Sequence, residues 1–354
     1  MIGIDKTIIK GFRIELLDKE MLLNNNNVIL QERPHGIYAK NTDGSETLID
    51  YLKIVDGDMF NNLIMGVKKN KGIYIAYSMI ELSVAEKMDN NLRPLNISEY
   101  HNRIERLFRY LENRYGLYMD ISELYFDDME INITAEMDRQ FIEYEFLLDN
   151  MVYLVPKKYD ISPYLGKDRT VKQYKFFNNT VEGKVYDKTR QLKEKFKIEG
   201  EMQEQYIRIE YTLHGSRKIE NALGTRYVSE MTDSAIEEYL HVMIAKDLIK
   251  PIQKHIETAN KKLLTMAKGL KEKDSRRWIG TFFREAVAEV EDKRSGKLPL
   301  VIDMEQITGI IKKVSSSTNY AKTLERLADN MNRHLYLSHN LDKLNEIINK
   351  FTLI

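Results

Sequence analysis

Apolar and polar positions alternate along this chain with two periods, and the switches between them mark out its elements. Near the N-terminus Phe12, Ile14 and Leu16 alternate with Arg13, Glu15 and Leu17, and residues 72–77 form a run rich in β-formers, so residues 7–85 are expected to be mostly strand. The asparagines 24–27 and the stretch 41–45 interrupt them as turns. Ile104, Leu107, Phe108, Leu111 and Tyr115 then recur at three- and four-residue steps, which predicts an amphipathic helix capped by Ser98 and stopped by Gly116. After it the period returns to two. Met129, Ile131, Ile133 and Ala135 alternate with Glu130, Asn132, Thr134 and Glu136, while Ile142, Tyr144 and Phe146 alternate with Glu143 and Glu145. These two runs predict a hairpin turning at Asp138, Arg139 and Gln140.

Beyond a polar loop around Pro163 and residues 166–169, strands are expected at 174–177, 181–188 and 206–213, with a charged helical insert at 189–197. From Asp233 the pattern is helical. Ile236, Leu240, Met243, Ile244 and Leu248 share one face until Pro251 interrupts it, and residues 294–299 read as a turn before the last helices. The expected fold class is α+β: an antiparallel sheet with flanking helices over residues 1–220, then an all-helical domain over 230–354 that binds DNA or drives oligomerisation.

Composition narrows the function. The chain of 354 residues has no cysteine, which excludes disulfides, thiolate metal sites and cysteine nucleophiles. It shows no signal-peptide h-region and no run of about 18 apolar residues, so the expectation is a cytoplasmic protein without a membrane partner. Lys and Arg total 54 and Asp and Glu total 54, so any nucleic-acid contact has to come from local segregation of charge. Neither GxxxxGK[ST] nor GxGxxG occurs, which argues against an ATP-driven helicase or a dinucleotide enzyme; unwinding would fall to a host helicase.

The central strands carry the candidate chemistry. Their polar faces present Glu130, Asn132 and Glu136; Glu182, Lys184, Tyr186 and Lys188; and Tyr206, Arg208 and Glu210. If these strands are neighbours, a tyrosine, carboxylates and cations meet on one surface. Carboxylates suit Mg²⁺ or Mn²⁺, and a phenol beside them can attack a phosphodiester. Any half-exposed sheet alternates in this way, however, and the pattern alone reads first as a solvated face.

The order of segments adds to this reading. Tyr74-Ile-Ala-Tyr-Ser-Met-Ile-Glu-Leu-Ser83, then Asn90-Asn91-Leu92 and a helix, then Met129-Glu-Ile-Asn-Ile-Thr-Ala-Glu136, Glu182-Gly-Lys-Val-Tyr-Asp-Lys188 and Arg208-Ile-Glu-Tyr-Thr-Leu213 follow one another. The arrangement resembles the replication initiators of filamentous phages and rolling-circle plasmids over residues 70–215. The resemblance implies an origin-specific nickase of plasmid or phage, with Tyr186 as nucleophile and Lys188 as its activating or phosphate-holding neighbour. Glu136, Glu210 and Asn132 would be metal ligands, and Arg208 would orient a carboxylate or a phosphate. Two departures stand out: Glu130 and Asn132 replace the family's Arg and Asp, an amide being a poorer ligand for a hard cation, and there is no His-hydrophobic-His pair. The alternatives are an origin-binding initiator or regulator without catalysis, and a conjugative relaxase.

Other features are weighed beside these. Tyr174 is a rival nucleophile. Expected DNA contacts are Lys175, Lys184 and Arg208 on strands, Arg276 and Arg277 in the basic stretch 268–277, and Lys322 and Arg326 on the second helix of a segment, 304–331, that reads first as a plain helical hairpin and resembles a helix-turn-helix in outline. Trp278, Phe282 and Phe283 read as a core anchor, and His334 and His339, five apart, as surface residues. Paired origin sites would suit a homodimer.

Overall fold

The computed structural model describes residues 1–31, 37–49, 51–56, 60–68, 72–79, 92–120, 122–165, 171–200, 202–291, 301–315 and 339–352. It is a mixed α/β protein with a largely antiparallel sheet and a helical C-terminal region. The chain forms two compact units. One comprises residues 1–134, 177–201 and 208–240; the other comprises 135–176, 202–207 and 241–354.

The first unit begins with β1 (Ile2–Lys10), β2 (Arg13–Leu16), the short helix α1 (Lys19–Leu23) and β3 (Val28–Gln31). There follow β4 (Ile37–Asn41), β5 (Glu46–Ile49), β6 (Tyr51–Asp56), β7 (Phe60–Lys68) and β8 (Gly72–Met79). Next come helix α2 (Ile97–Tyr115), β9 (Leu117–Asp120) and β10 (Tyr125–Met137), whose last residues belong to the second unit. The second unit supplies α3 (Phe141–Tyr153), β11 (Asp160–Leu165) and β12 (Val171–Phe177), before the chain returns through β13 (Val181–Asp187), α4 (Lys188–Phe196), β14 (Gln205–His214) and α5 (Ser216–Leu223). In the first unit β13, β14, β10, β1, β8, β7, β6 and β3 lie side by side in that order, and β5, β4, β2 and β9 form a smaller sheet in which β2 and β4 run parallel.

Helix α2 buries Ile104, Leu107, Phe108, Leu111 and Tyr115, the stripe expected from the sequence. Its cap is Asn96, not Ser98: the Asn96 Oδ1 accepts from the Glu99 amide at 2.8 Å, and Glu99 accepts the Asn96 amide in return at 3.1 Å, a capping box. Gly116 ends the helix at φ 65°, where a Cβ would lie 2.9 Å from the Asp18 nitrogen.

The expected hairpin at 138–140 does not form, because residues 141–153 are the helix α3. Alternation of Ile142, Tyr144 and Phe146 coincides with a helical repeat of Phe141, Tyr144, Leu147, Leu148 and Met151, and it is the helical set that is buried while Ile142 is exposed. The Glu143 carboxylate accepts the Gln140 amide at 3.3 Å and stabilises the first turn. Glu143 and Glu145 therefore stand on a helix in the second unit and belong to no strand face.

Helices α6 (Asp233–Ile244), α7 (Lys250–Lys273), α8 (Trp278–Glu291), α9 (Met304–Val314) and α10 (Asn340–Phe351) make the C-terminal region. A π turn at Ala245–Ile249 precedes Pro251, which has no N–H for the carbonyl four residues back; the widened turn absorbs that break without ending the helix. Trp278, Phe282 and Phe283 are core residues, packed with Leu263, Ile307 and Ile311. Residues 294–299 and 320–331 lie outside the described residues, as do Lys322, Arg326 and His334, and so does the stretch 80–91. Among the described residues no helix is long and apolar enough to cross a membrane.

Candidate functional site

Strand alternation positions the site. On β13 Val181 and Val185 turn to the core, so Glu182, Lys184 and Tyr186 share the other face. On β14 Ile207, Ile209 and Tyr211 are core residues, and Arg208, Glu210 and Thr212 face the opposite way. Glu130, Asn132 and Thr134 share one face of β10.

Strand β1 adds the remaining acid. In the β1–β10 pairing Ile4 lies opposite Ile131 and Thr7 opposite Met129, leaving Asp5 and Lys6 against Glu130 alone. Alternation from the buried Ile4 already sets the Asp5 carboxylate on the Glu130 side, and the extra residue shifts the register after it. Asp5, Glu130 and Glu210 each offer an oxygen, all within 4.8 Å of one another.

Three cations surround these carboxylates. The Lys184 ammonium donates to Glu210 Oε1 at 2.5 Å and to Glu130 Oε2 at 3.2 Å, and pairs with Glu182 at 3.4 Å. Arg208 is fully buried and donates through Nε to Thr134 Oγ1 at 2.6 Å, through Nη1 to Asp5 Oδ2 at 2.9 Å and through Nη2 to the Leu92 carbonyl at 2.7 Å. Lys188, the first residue of α4, is also buried; its Nζ donates to Gln191 Oε1 at 2.7 Å and stands 5.9 Å from the centre of the Tyr186 ring. The Tyr186 hydroxyl donates to the second Glu210 oxygen, Oε2, at 3.1 Å.

Burial and crowding of like charge set the protonation states. Burial raises the Glu130 carboxyl to about 7, and the neighbouring Glu210 charge adds to the shift while Lys184 opposes it. Burial lowers the Lys188 amine to about 7, with the Arg208 charge acting in the same direction. The Tyr186 phenol is pushed up by burial and by Glu210, so it stays protonated. Lys184 is held above its ordinary range by Glu210 and Glu130 against the effect of burial.

Of the residues singled out from sequence, Tyr186, Lys188, Glu210, Lys184 and Arg208 come together. The Lys184 and Arg208 charges face carboxylates inside the protein. Asn132 lies on the same face of β10, fully buried; its Oδ1 accepts from Thr134 at 3.4 Å and its Nδ2 has no partner among the described residues. Glu136 is exposed on the far part of β10 and is outside the acidic cluster, whose third member is Glu130. Asp5 escaped the sequence reading, since alternation along β1 does not reveal that β10 lies beside it. Its one signal was an acid standing alone in the β-rich run Ile2-Gly-Ile-Asp-Lys-Thr-Ile-Ile9. Tyr174, the rival nucleophile, is buried in the second unit and donates to the Glu145 carbonyl at 3.3 Å. Lys175 is half-buried on β12, Arg276 and Arg277 are exposed just beyond α7, and His339 is exposed with its Nδ1 3.2 Å from Asp342.

The donor set fits a hard divalent cation. Three carboxylate oxygens are the ligands Mg²⁺ and Mn²⁺ prefer. Asp5, Glu130, Glu182 and Glu210 also outnumber the Lys184, Lys188 and Arg208 cations around them, and the Glu210 charge adds to the rise that burial imposes on Glu130. No protein-family model matches this chain, and no curated protein matches it in sequence.

Proposed function

We propose that this protein is a replication initiator of plasmid or phage DNA that cuts one strand at the origin through a covalent bond to Tyr186. The observation that carries the reading is the Tyr186 hydroxyl donating to Glu210, a carboxylate that belongs to the acidic cluster. In this reaction the phenolic oxygen attacks the phosphorus, the bond from phosphorus to the sugar oxygen breaks, and a protein-linked phosphodiester and a free strand end result. Glu210 takes the phenolic proton, which is returned to the departing sugar oxygen; the reverse sequence rejoins the strand. Because the phenol is held protonated, attack and proton transfer have to proceed together. Lys184 keeps Glu210 aligned, Arg208 fixes Asp5, and Lys188, close to half-protonated at neutral pH, supplies either a second base or a charge for the phosphate. Asp5, Glu130 and Glu210 are the residues that would hold Mg²⁺ or Mn²⁺, which when bound neutralises charge on a phosphoryl oxygen.

The second reading, an initiator that binds its origin without cutting, is favoured by one observation: Tyr186 is only 5% exposed. Incubation with supercoiled origin DNA and Mn²⁺ separates the two. Nicked circles that disappear with Tyr186→Phe support cleavage; a footprint without nicking supports the binding module. A conjugative relaxase would share the chemistry and differ in requiring a transfer origin.

A further inference from the structure

We infer that the exposed face of α7 in the second unit is a docking surface for the phosphate backbone of duplex DNA. The starting point is charge. The chain is neutral overall, yet residues 246–277 hold ten Lys and Arg against four Asp and Glu, and one of those acids, Asp247, is buried with its Oδ2 taking the Tyr159 hydroxyl at 2.9 Å. This is the local segregation of charge that a neutral nucleic-acid-binding chain requires.

The helix sorts these charges by side. Ile252, Ile256, Ala259, Leu263 and Ala267 form its buried stripe. On the opposite side Lys250, Lys254, Lys261 and Lys268 are exposed, and the last three recur every seven residues, which sets them about 10.5 Å apart along one line of the helix. Thr258 and Thr265 fill the positions between, and each folds its hydroxyl back onto the helix, to the Lys254 carbonyl at 2.8 Å and the Lys261 carbonyl at 3.0 Å. The lysine ammonium groups therefore project above a low, polar ridge, and Gly269 continues it with no side chain and open space around it.

These four lysines are unspent. Lys262 pairs with Glu289 and Lys271 donates to the Val314 carbonyl, but the ammonium groups of Lys250, Lys254, Lys261 and Lys268 have no hydrogen-bond or ion-pair partner among the described residues. Only Glu257 and Glu272 dilute the stripe. The helix dipole accounts for cations in the last turn, Lys271 and Lys273, and not for a row through the middle. A membrane surface is the poorer fit, because the apolar face that would sink into lipid is already buried in the core. A row of fixed-interval cations with no acidic partner is complementary to a polyanion. The choice of duplex DNA among polyanions rests on the function proposed above; the surface itself does not depend on Tyr186.

The test measures binding of the full chain to a short random-sequence duplex by fluorescence anisotropy, from roughly 50 to 200 mM salt, for the unaltered protein and for a triple variant, K254Q/K261Q/K268Q. Each lysine that neutralises a phosphate contributes about 0.9 to the slope of log affinity against log salt, so the triple variant is expected to lose about 2.7 of that slope. E257Q/E272Q is expected to bind more tightly. Both sets are exposed, and unchanged thermal unfolding confirms that the fold is intact. An unchanged slope in the triple variant overturns the inference, as does capture of the protein by anionic lipid vesicles with no binding to duplex. A failure of the unaltered protein to nick origin DNA with its salt slope retained counts against cleavage alone.

Discussion

Glu210 divides its two oxygens between Tyr186 and Lys184, the phenol at 3.1 Å and the ammonium at 2.5 Å. The two bonds differ in consequence. Tyr186→Phe removes one hydrogen bond and leaves Glu210 satisfied by Lys184, so the expected loss of stability is about 1 kcal/mol. Glu210→Ala leaves Tyr186 without its acceptor and Lys184 with only Glu130 and Glu182, and it should cost more. Urea unfolding at neutral pH ranks the two; equal costs would count against this division of roles.

Arg208 is the second point of rigidity. It is fully buried, and its three nitrogens serve three different partners. Arg208→Ala strands the Thr134, Asp5 and Leu92 groups together, with an expected cost of about 3–5 kcal/mol. Arg208→Lys should recover little of it, since one ammonium cannot reproduce the spread of a guanidinium. A urea midpoint for Arg208→Lys close to that of the unaltered protein would contradict this.

Stability should pass through a minimum near neutral pH. Glu130 titrates at about 7 in the folded protein against 4.5 ordinarily, so the folded state holds that proton more tightly and stability falls as pH rises from 4.5 to about 7. Lys188 titrates at about 7 against 10.5, so the unfolded state holds its proton more tightly and stability climbs from about 7 to 10.5. Thermal unfolding across this range tests both limbs. Glu130→Gln should flatten the acid limb and Lys188→Met the alkaline one. A monotonic profile would contradict the assignment.

Much of this arrangement was legible in the sequence, for a physical reason. Strands buried on one face display their alternation directly, so β10, β13 and β14 and the shared face of Lys184, Tyr186, Arg208 and Glu210 follow from period-two patterning. Helix α3 was not legible as a helix, because Phe141, Tyr144, Leu147, Leu148, Met151 and Val152 bury so much of its circumference that a period of two fits as well as one of 3.6. Asp5 needs the β1–β10 pairing, which is a tertiary fact. Ser98 and Asn96 are both capping residues, and only the Glu99 pairing decides between them.

In the second unit one carboxylate on the last helix gathers three donors. Glu346 on α10 accepts the Asp138 amide at 2.7 Å, the Arg139 guanidinium at 3.0 Å and the Tyr144 hydroxyl at 2.5 Å. Glu346→Ala should cost about 3 kcal/mol, with Arg139 partly reaching water and limiting the loss. Hydrogen exchange should show the effect concentrated in residues 340–351. Protection there unchanged from the unaltered protein would mean that apolar packing and the remaining hydrogen bonds of α10 suffice to hold it.

The most direct test of the central claim is to trap the protein on a labelled origin strand and look for the bond. After incubation with Mn²⁺, denaturation and exhaustive nuclease and protease digestion, mass spectrometry should find a nucleotide attached to the peptide containing Tyr186, and none with Tyr186→Phe. A nucleotide on Tyr174 or any other residue, or cut DNA with no protein-linked phosphate, would contradict it.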